Sequence, residues 1–155
     1  MPELIYQVLE QDHKEIKAVL AQIQAAEAPK ERERLCAQLE AAVLPHSEAE
    51  EATLYRALRK HELTKDLAEE GNEEHRVASK EIGTLKNLPG DNEKWPARAK
   101  VLKEIIEHHI REEEERIFDK ARDVLSEEEA LEIAERFREM KSAIESSADA
   151  GSRKR

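Results

Sequence analysis

The 155-residue sequence has few aromatic residues, few glycines and a single cysteine. Aromatic residues make up 3% of the chain, and 4 glycines and 5 prolines leave little material for strands and tight turns, which excludes an all-β fold. The lone Cys36 excludes an internal disulfide and any cysteine-based zinc or iron–sulfur site. A metal in this protein must therefore be held by histidines and carboxylates.

Long apolar runs and an excess of positive charge are also missing. No stretch approaches the roughly 20 apolar residues of a membrane span, and the N-terminus lacks a signal-peptide pattern. The chain carries 26 Lys and Arg against 36 Asp and Glu, a formal net charge of −10, which repels nucleic acid and anionic lipid. We therefore expect a soluble, cytoplasmic protein without a nucleic-acid or membrane partner.

Apolar residues recur at three- and four-residue steps, which predicts an all-α fold. Three expected long helices cover residues 3–26, 30–60 and 64–87, and a fourth begins within 92–96 and runs to about 122. Pro45 is expected to kink the second of them. The short loops between these helices predict an up-down-up-down four-helix bundle.

A fifth, shorter helix is expected after the bundle. Ser126 followed by Glu129 is a capping-box pattern that opens this helix. We therefore divide the chain into a bundle over 1–125, a C-terminal helix over 126–145 that packs on or beside it, and a disordered tail over 146–155.

The sequence contains an internal repeat that carries histidine and glutamate. The segments that begin at His46 and His109 both read His-x-x-x-Glu-Glu-x-x-aliphatic-aromatic, at an offset of 63 residues. His13 and His75 are related by an offset of 62, and an acidic residue precedes each of them. The first two helices therefore repeat as the third and fourth.

The helical repeat directs these side chains toward one place. A glutamate four residues after a histidine lies about 40° away and one turn further along an α-helix, so His46 and Glu50 share a face, as do His109 and Glu113. Apolar residues three, four and seven positions before His46 and His109 show that this face points to the core. Each of the four long helices thus directs one histidine inward.

A single inward histidine is more often a satisfied core residue than a metal ligand, and one His-x-x-x-Glu is weak because acidic residues are frequent here. The combination of four inward histidines and two glutamates is stronger evidence for a metal site, because burying several imidazoles and carboxylates without a cation is very costly. The predicted metal ligands are His13, His46, Glu50, His75, His109 and Glu113. Six ligands exceed one tetrahedral zinc site and indicate two ions of iron, manganese or zinc with bridging carboxylates. A bridging oxo or hydroxo group would give each ion five ligands and leave one position for O₂, peroxide or NO.

Several residues beside the predicted ligands have two interpretations. His108 points about 100° from His109, toward a flank. Glu51 and Glu114 belong either to a solvated face or to hydrogen bonds with neighbouring histidines. Tyr55 and Phe118 lie nine residues after their histidines, about 180° away on an ideal helix, and are expected to pack between helices. A kink at Pro45 would let Tyr55 approach the site, and the sequence leaves this open for Tyr55.

Over about residues 3–122, these motifs resemble the hemerythrin-like family, also called the HHE cation-binding domain. The resemblance implies a centre of two iron ions (Fe²⁺/Fe³⁺) with an oxo or hydroxo bridge, and activities that include O₂ binding, iron or oxygen sensing, NO-related repair and peroxide breakdown. Five-histidine members that carry O₂ have a second histidine one turn from the third-helix ligand, where this chain has Gly71 and Ser79. We therefore expect peroxide or O₂ reactivity rather than stable O₂ storage.

Two other functions stay open at this point. One is a sensor that uses the same metal site and reports its occupancy to a protein partner through the C-terminal helix. The other is a metal-free helical adaptor, for which the buried polar set would have no explanation. No general base is evident, so the sequence leaves enzymatic activity undecided.

Overall fold

A computed structural model describes residues 2–153, and this part of the chain contains helices and turns but no strand. The all-α prediction is confirmed. The α-helices are α1 (Ile5–Ala25), α2 (Pro29–Glu50), α3 (Arg56–Leu58), α4 (Lys65–Lys86), α5 (Trp95–Glu112), α6 (Phe118–Val124) and α7 (Glu127–Arg153).

Two π-helical segments join neighbouring helices end to end, so that the first six helices form four continuous helical rods. The segment Glu51–Tyr55 joins α2 to α3, and the segment Glu113–Ile117 joins α5 to α6, in each case without a break. The four rods are therefore α1, α2 with α3, α4, and α5 with α6. The rod of α1 packs against those of α2 and α5, and α4 also packs against both, which closes the predicted bundle.

Two prolines lie at the start of helices and a third, Pro45, lies inside one. Pro29 and Pro96 lie in the first turns of α2 and α5, where the missing N–H has no intrahelical partner. Pro45 lies inside α2, which continues past it to Glu50. Leu44 and Val77, which the apolar spacing predicts as core residues of the second and third long helices, are instead 37% and 39% exposed.

The C-terminal helix begins as predicted but is longer. The Ser126 Oγ accepts a hydrogen bond from the Glu129 N–H, and Glu129 Oε1 accepts one from the Ser126 N–H, each at 3.1 Å. Helix α7 continues to Arg153, beyond the predicted end at residue 145, while the disorder of residues 146–155 stays a prediction. No proline follows Glu129, and a helix that is already nucleated can propagate through serine and alanine without apolar contacts. Residues 154–155 lie outside the described part.

Helix α7 packs across α1 and α2. Its buried residues Ala130, Ile133, Ala134 and Phe137 belong to the same hydrophobic cluster as residues of the bundle. None of the helices in the described residues is long and apolar enough to cross a membrane.

The core consists of two hydrophobic clusters with a polar layer between them. The lower cluster includes Ile5, Leu9, Leu54 and Phe118, and the upper cluster includes residues such as Trp95. Each rod passes from one cluster to the other near its predicted ligands: in α1 the lower cluster ends at Leu9, the upper begins at Ile16, and His13 lies between them. The hydrophobic clusters therefore bury the polar layer from both ends.

Candidate metal centre

All six predicted ligands meet in the polar layer and are buried. They form two overlapping groups, His13, His46, Glu50 and Glu113 in one, and Glu50, His75, His109 and Glu113 in the other. Within each group, one potential ligand atom from every residue lies within 4.8 Å of the others. Because Glu50 and Glu113 belong to both groups, the arrangement offers two ion positions that share two carboxylates.

The four imidazoles present the same atom to this centre. Each directs Nε2 toward a carboxylate oxygen of Glu50 or Glu113. The distances are 3.0 Å from His75 to Glu50, 3.2 Å from His13 to Glu113, 3.6 Å from His109 to Glu113 and 4.0 Å from His46 to Glu50. Residues from four different rods thus aim their free nitrogen atoms at one pair of carboxylates.

Many of these inward atoms have no hydrogen-bond partner among the described residues. They include Nε2 of His13, His75 and His109, both carboxylate oxygens of Glu50, and Oε1 of Glu113. Burial raises the pKa of Glu50 well above its usual value, and the neighbouring charge of Glu113 raises it further. Unpartnered polar atoms at such density would be costly in a core, whereas cations with nitrogen and oxygen ligands would satisfy them. The residues therefore fit a dinuclear metal site.

The outer nitrogen of each imidazole faces a second carboxylate. The Nδ1 atoms of His13, His46 and His109 lie 2.7 Å from Glu114, 2.9 Å from Asp12 and 2.8 Å from Glu74, while Nδ1 of His75 lies 3.8 Å from Glu51. The hydrogen bond from His109 lowers the pKa of Glu74, and that from His13 lowers the pKa of Glu114. For His13, His46 and His109 the carboxylate accepts the Nδ1–H, which leaves the Nε2 lone pair free to face the centre. Nδ1 of His75 has no hydrogen-bond partner among the described residues.

These outer carboxylates follow the internal repeat. Glu51 and Glu114 are related by 63 residues, and Asp12 and Glu74 by 62. The hydrogen-bonding interpretation is therefore correct for Glu114. Sequence reasoning missed the role of Asp12 and Glu74, although their shared position directly before a histidine was a signal. Each pairs with the histidine of a neighbouring helix rather than with its own neighbour in sequence.

Tyr55 and Phe118 both contact the site, which the sequence left open for Tyr55 and did not predict for Phe118. The Tyr55 ring stacks on His75 at 5.3 Å between centroids, and the Phe118 ring stacks on His13 at 6.4 Å. The Tyr55 hydroxyl also donates a hydrogen bond to Glu113. A π-helical turn holds one extra residue, so each aromatic residue lies about 80° from its own rod's histidine rather than 180°.

The Tyr55 ring occupies the space beside Gly71. A Cβ atom built on Gly71 would lie 2.7 Å from two ring carbons and the hydroxyl oxygen of Tyr55. The phenol of Tyr55 thus fills the space beside Gly71, one of the two positions considered above for a fifth histidine. His108 is exposed on the outside of the bundle, in agreement with its predicted position on a flank.

A small cavity of about 20 Å³ adjoins the four imidazoles on the side of the upper cluster. Its other walls include Ser47 and the apolar side chains of Val43 and Ile106. A surface groove of about 420 Å³ between α2 and α4 also reaches Ser47 and His75. Ser47 and His75 therefore separate the groove from the cavity at the centre.

Four rods that enclose a buried set of imidazoles and carboxylates define a metal-binding helical bundle. The family model described as the hemerythrin HHE cation binding domain matches residues 4–121, and the chain belongs to this family. The resemblance drawn from the histidine and glutamate motifs is thereby confirmed.

One solved structure has the same fold over nearly the whole chain. It is an Rv2633c homolog from Mycobacterium kansasii, described as a hemerythrin HHE cation binding domain-containing protein. The two superpose with a TM-score of 0.85 at 24% identity, covering 97% of this chain and 93% of the other.

A curated relative is longer than this chain. It is a DNA nickase from Nostoc sp. (strain PCC 7120 / SAG 25.82 / UTEX 2576), 26% identical over 144 residues. The match covers 91% of this chain and 40% of that relative.

Proposed function

We propose that the chain binds two iron ions at the six-residue site and that the loaded centre reacts with O₂, peroxide or NO. The observation that carries the proposal is the set of buried, unpartnered nitrogen and oxygen atoms that face one another across the bundle. Imidazole and carboxylate suit iron, manganese and zinc, and the resemblance to di-iron relatives favours iron. Bound iron would supply the ability to exchange electrons with a small oxidant.

The residues of this chain hold that centre in a fixed geometry. The outer carboxylates orient the imidazoles, and Glu50 and Glu113 lie within reach of both ion positions. The Tyr55 hydroxyl restrains Glu113 from the side of the lower cluster. The two hydrophobic clusters exclude bulk water from both ends.

The size of the cavity supports a small substrate. A volume of about 20 Å³ accommodates roughly one water-sized molecule, which suits a diatomic molecule or peroxide and excludes larger organic substrates. We propose that such a molecule enters through the groove between α2 and α4 and passes Ser47. Because Tyr55 fills the space beside Gly71, no histidine can act from that position, which supports reactivity over stable O₂ storage.

A sensor that uses the same site is the second candidate, because α7 touches the centre. The Phe137 ring packs edge-on against His46 at 5.8 Å, so a change in the metal site can reach α7 directly. The nicking activity of the longer relative is not carried to this chain, because a net charge of −10 disfavours DNA binding.

Metal analysis of adjacent-histidine variants tests the proposal. After anaerobic loading with Fe²⁺, the wild type should retain about two irons per chain. His109→Gln should retain no more than one, while the matched control His108→Gln should retain two, because His108 is exposed. A wild type that retains no iron, or equal loss in both variants, would contradict the metal site. Mixing the loaded protein with peroxide, O₂ or NO in a stopped-flow spectrometer then tests reactivity.

The sensor alternative needs a different measurement. Deletion of α7 would expose the lower cluster, which includes buried Ile133 and Phe137, and would confuse unfolding with loss of signalling. Limited proteolysis of α7 in the loaded and metal-free full-length protein avoids this problem. A sensor should show a change in cleavage on loading, whereas a centre that only reacts with small molecules should not.

A further inference from the structure

The internal repeat makes the two halves of the centre equivalent in sequence. His13 and His46 form a first half-site, and His75 and His109 form a second. In the first, Asp12 accepts a hydrogen bond from His46, and in the second, Glu74 accepts one from His109. The two ion positions can differ where the repeat has changed a residue, as with Tyr55 and Phe118, and also through residues that the repeat does not relate.

Helix α7 supplies such a residue to the first half-site alone. Lys141 Nζ lies 3.0 Å from Asp12 Oδ1, while Asp12 Oδ2 lies 2.9 Å from Nδ1 of His46. The Lys141 side chain is 23% exposed and that of Asp12 is 11% exposed, so the ion pair is shielded from solvent. An ammonium group, a carboxylate and an imidazole thus form one continuous chain.

The outer carboxylate of the second half-site lies among other carboxylates, one of which, Glu73, is paired with Arg76 at 3.0 Å. Glu74 has no lysine or arginine partner among the ion pairs of the described residues. It lies in a groove between α4 and α5 whose other carboxylates are Glu70, Glu73 and Glu104. His108 also lines this groove. A full cation therefore acts on the carboxylate behind His46, whereas further carboxylates surround the one behind His109.

We propose that Lys141 makes the two ion positions unequal, so that the first half-site holds its ion less tightly and at a higher reduction potential than the second. The proposal rests on the proposed function of the six-residue site. The ammonium draws negative charge from Asp12, which becomes a weaker acceptor for the His46 N–H and leaves the imidazole a poorer donor to a cation. Its own positive charge also opposes a cation and opposes the more highly charged oxidised state. Lys141 is in this sense a positioning residue that acts through Asp12 and His46.

Stepwise Co²⁺ binding to the full-length protein, measured by absorbance in competition with a chelator, tests the proposal. Lys141→Met should tighten the weaker of the two binding steps about tenfold and leave the stronger step unchanged. Lys141→Arg keeps the charge and should behave as the wild type. Arg138→Met is the matched control, because Arg138 lies on the same helix and pairs with Glu3, 3.0 Å away, outside the centre. It should leave both steps unchanged.

Two further measurements separate charge from structure. In the iron-loaded protein, Lys141→Met should lower the reduction potential of one iron, an effect that simple loosening of α7 does not produce. In a His13→Gln background, where the first half-site is disabled, Lys141→Met should no longer tighten binding. If Lys141→Met misfolds by circular dichroism, Lys141→Gln takes its place.

The outcomes that overturn the proposal are distinct from failure of the proposed function. Two ions per chain with binding steps unaltered or weakened by Lys141→Met would overturn only the role of Lys141. The same tightening in Arg138→Met would also overturn it, since any loosening of α7 would then suffice. A wild type that binds neither Co²⁺ nor Fe²⁺ would overturn the proposed function and this inference with it.

Discussion

Gly71 and Gly83 lie in the same helix, α4, but only one of them faces a side chain. A Cβ atom on Gly83 would meet nothing within 4 Å, whereas one on Gly71 would lie 2.7 Å from three atoms of the Tyr55 side chain. Tyr55 is fully buried, stacks on His75 and donates a hydrogen bond to Glu113, so it cannot move aside cheaply. Substitution by alanine therefore changes helix propensity alone at Gly83, whereas at Gly71 it also overpacks the core.

The expected free energies of unfolding follow from two opposing effects. Replacing glycine by alanine inside a helix stabilises by about 1 kcal/mol, which is the full expectation for Gly83→Ala. Gly71→Ala gains the same amount but also overpacks the core, at a cost of about 1–3 kcal/mol. We expect Gly71→Ala to be neutral or destabilised by up to about 2 kcal/mol, and thus about 1–3 kcal/mol less stable than Gly83→Ala.

Urea unfolding of the metal-free variants measures these differences. Trp95 is the single tryptophan and is buried, so its fluorescence reports loss of the core. Tyr55→Leu removes the three side-chain atoms that a Cβ on Gly71 would meet, and in that background Gly71→Ala should become less destabilising or even stabilising. If Gly71→Ala stabilised the wild type as much as Gly83→Ala does, the placement of Tyr55 against α4 would be refuted.

Three further predictions concern parts of the chain away from the metal centre. Cys36 is buried, and burial together with nearby Glu33 raises its thiol pKa to about 11. A thiol reagent at pH 8 should therefore label Cys36 in urea but hardly in buffer. Rapid labelling of the folded protein would contradict its burial. Ser126→Ala removes the cap of α7 and should cost about 1 kcal/mol in thermal unfolding, while an unchanged melting temperature would deny the cap any role in stability. Hydrogen bonds from the backbone N–H and side chain of Ser126 lower the pKa of Glu129 from its usual 4.5. This contact therefore stabilises the fold above pH 4.5, and its contribution is lost as the pH falls through the lowered pKa. The difference in stability between wild type and Glu129→Gln should shrink over that range, and a difference independent of pH would contradict the contribution of this contact.

Local periodicity was enough to predict the helices, their apolar faces and the six residues that meet in the polar layer. A side chain's direction on a helix depends on its position modulo the helical turn, so each inward histidine could be identified within its own helix. The internal repeat also predicted that the first two long helices correspond to the last two, because repeated sequence folds into repeated structure. The prediction of an all-α bundle with a convergent histidine and glutamate set needed no information beyond this.

Contacts between helices were decided only by the tertiary structure. Asp12 bonds to His46, and Lys141 reaches Asp12 from 129 residues away, and neither spacing follows a helical period. The π-helical turns rotated Tyr55 toward the centre, because one extra residue in a turn is invisible to an analysis that assumes a uniform helix. The relative directions of residues on one helix follow from their spacing in the sequence. The rotation and height of one helix against another depend instead on how all of their side chains pack together.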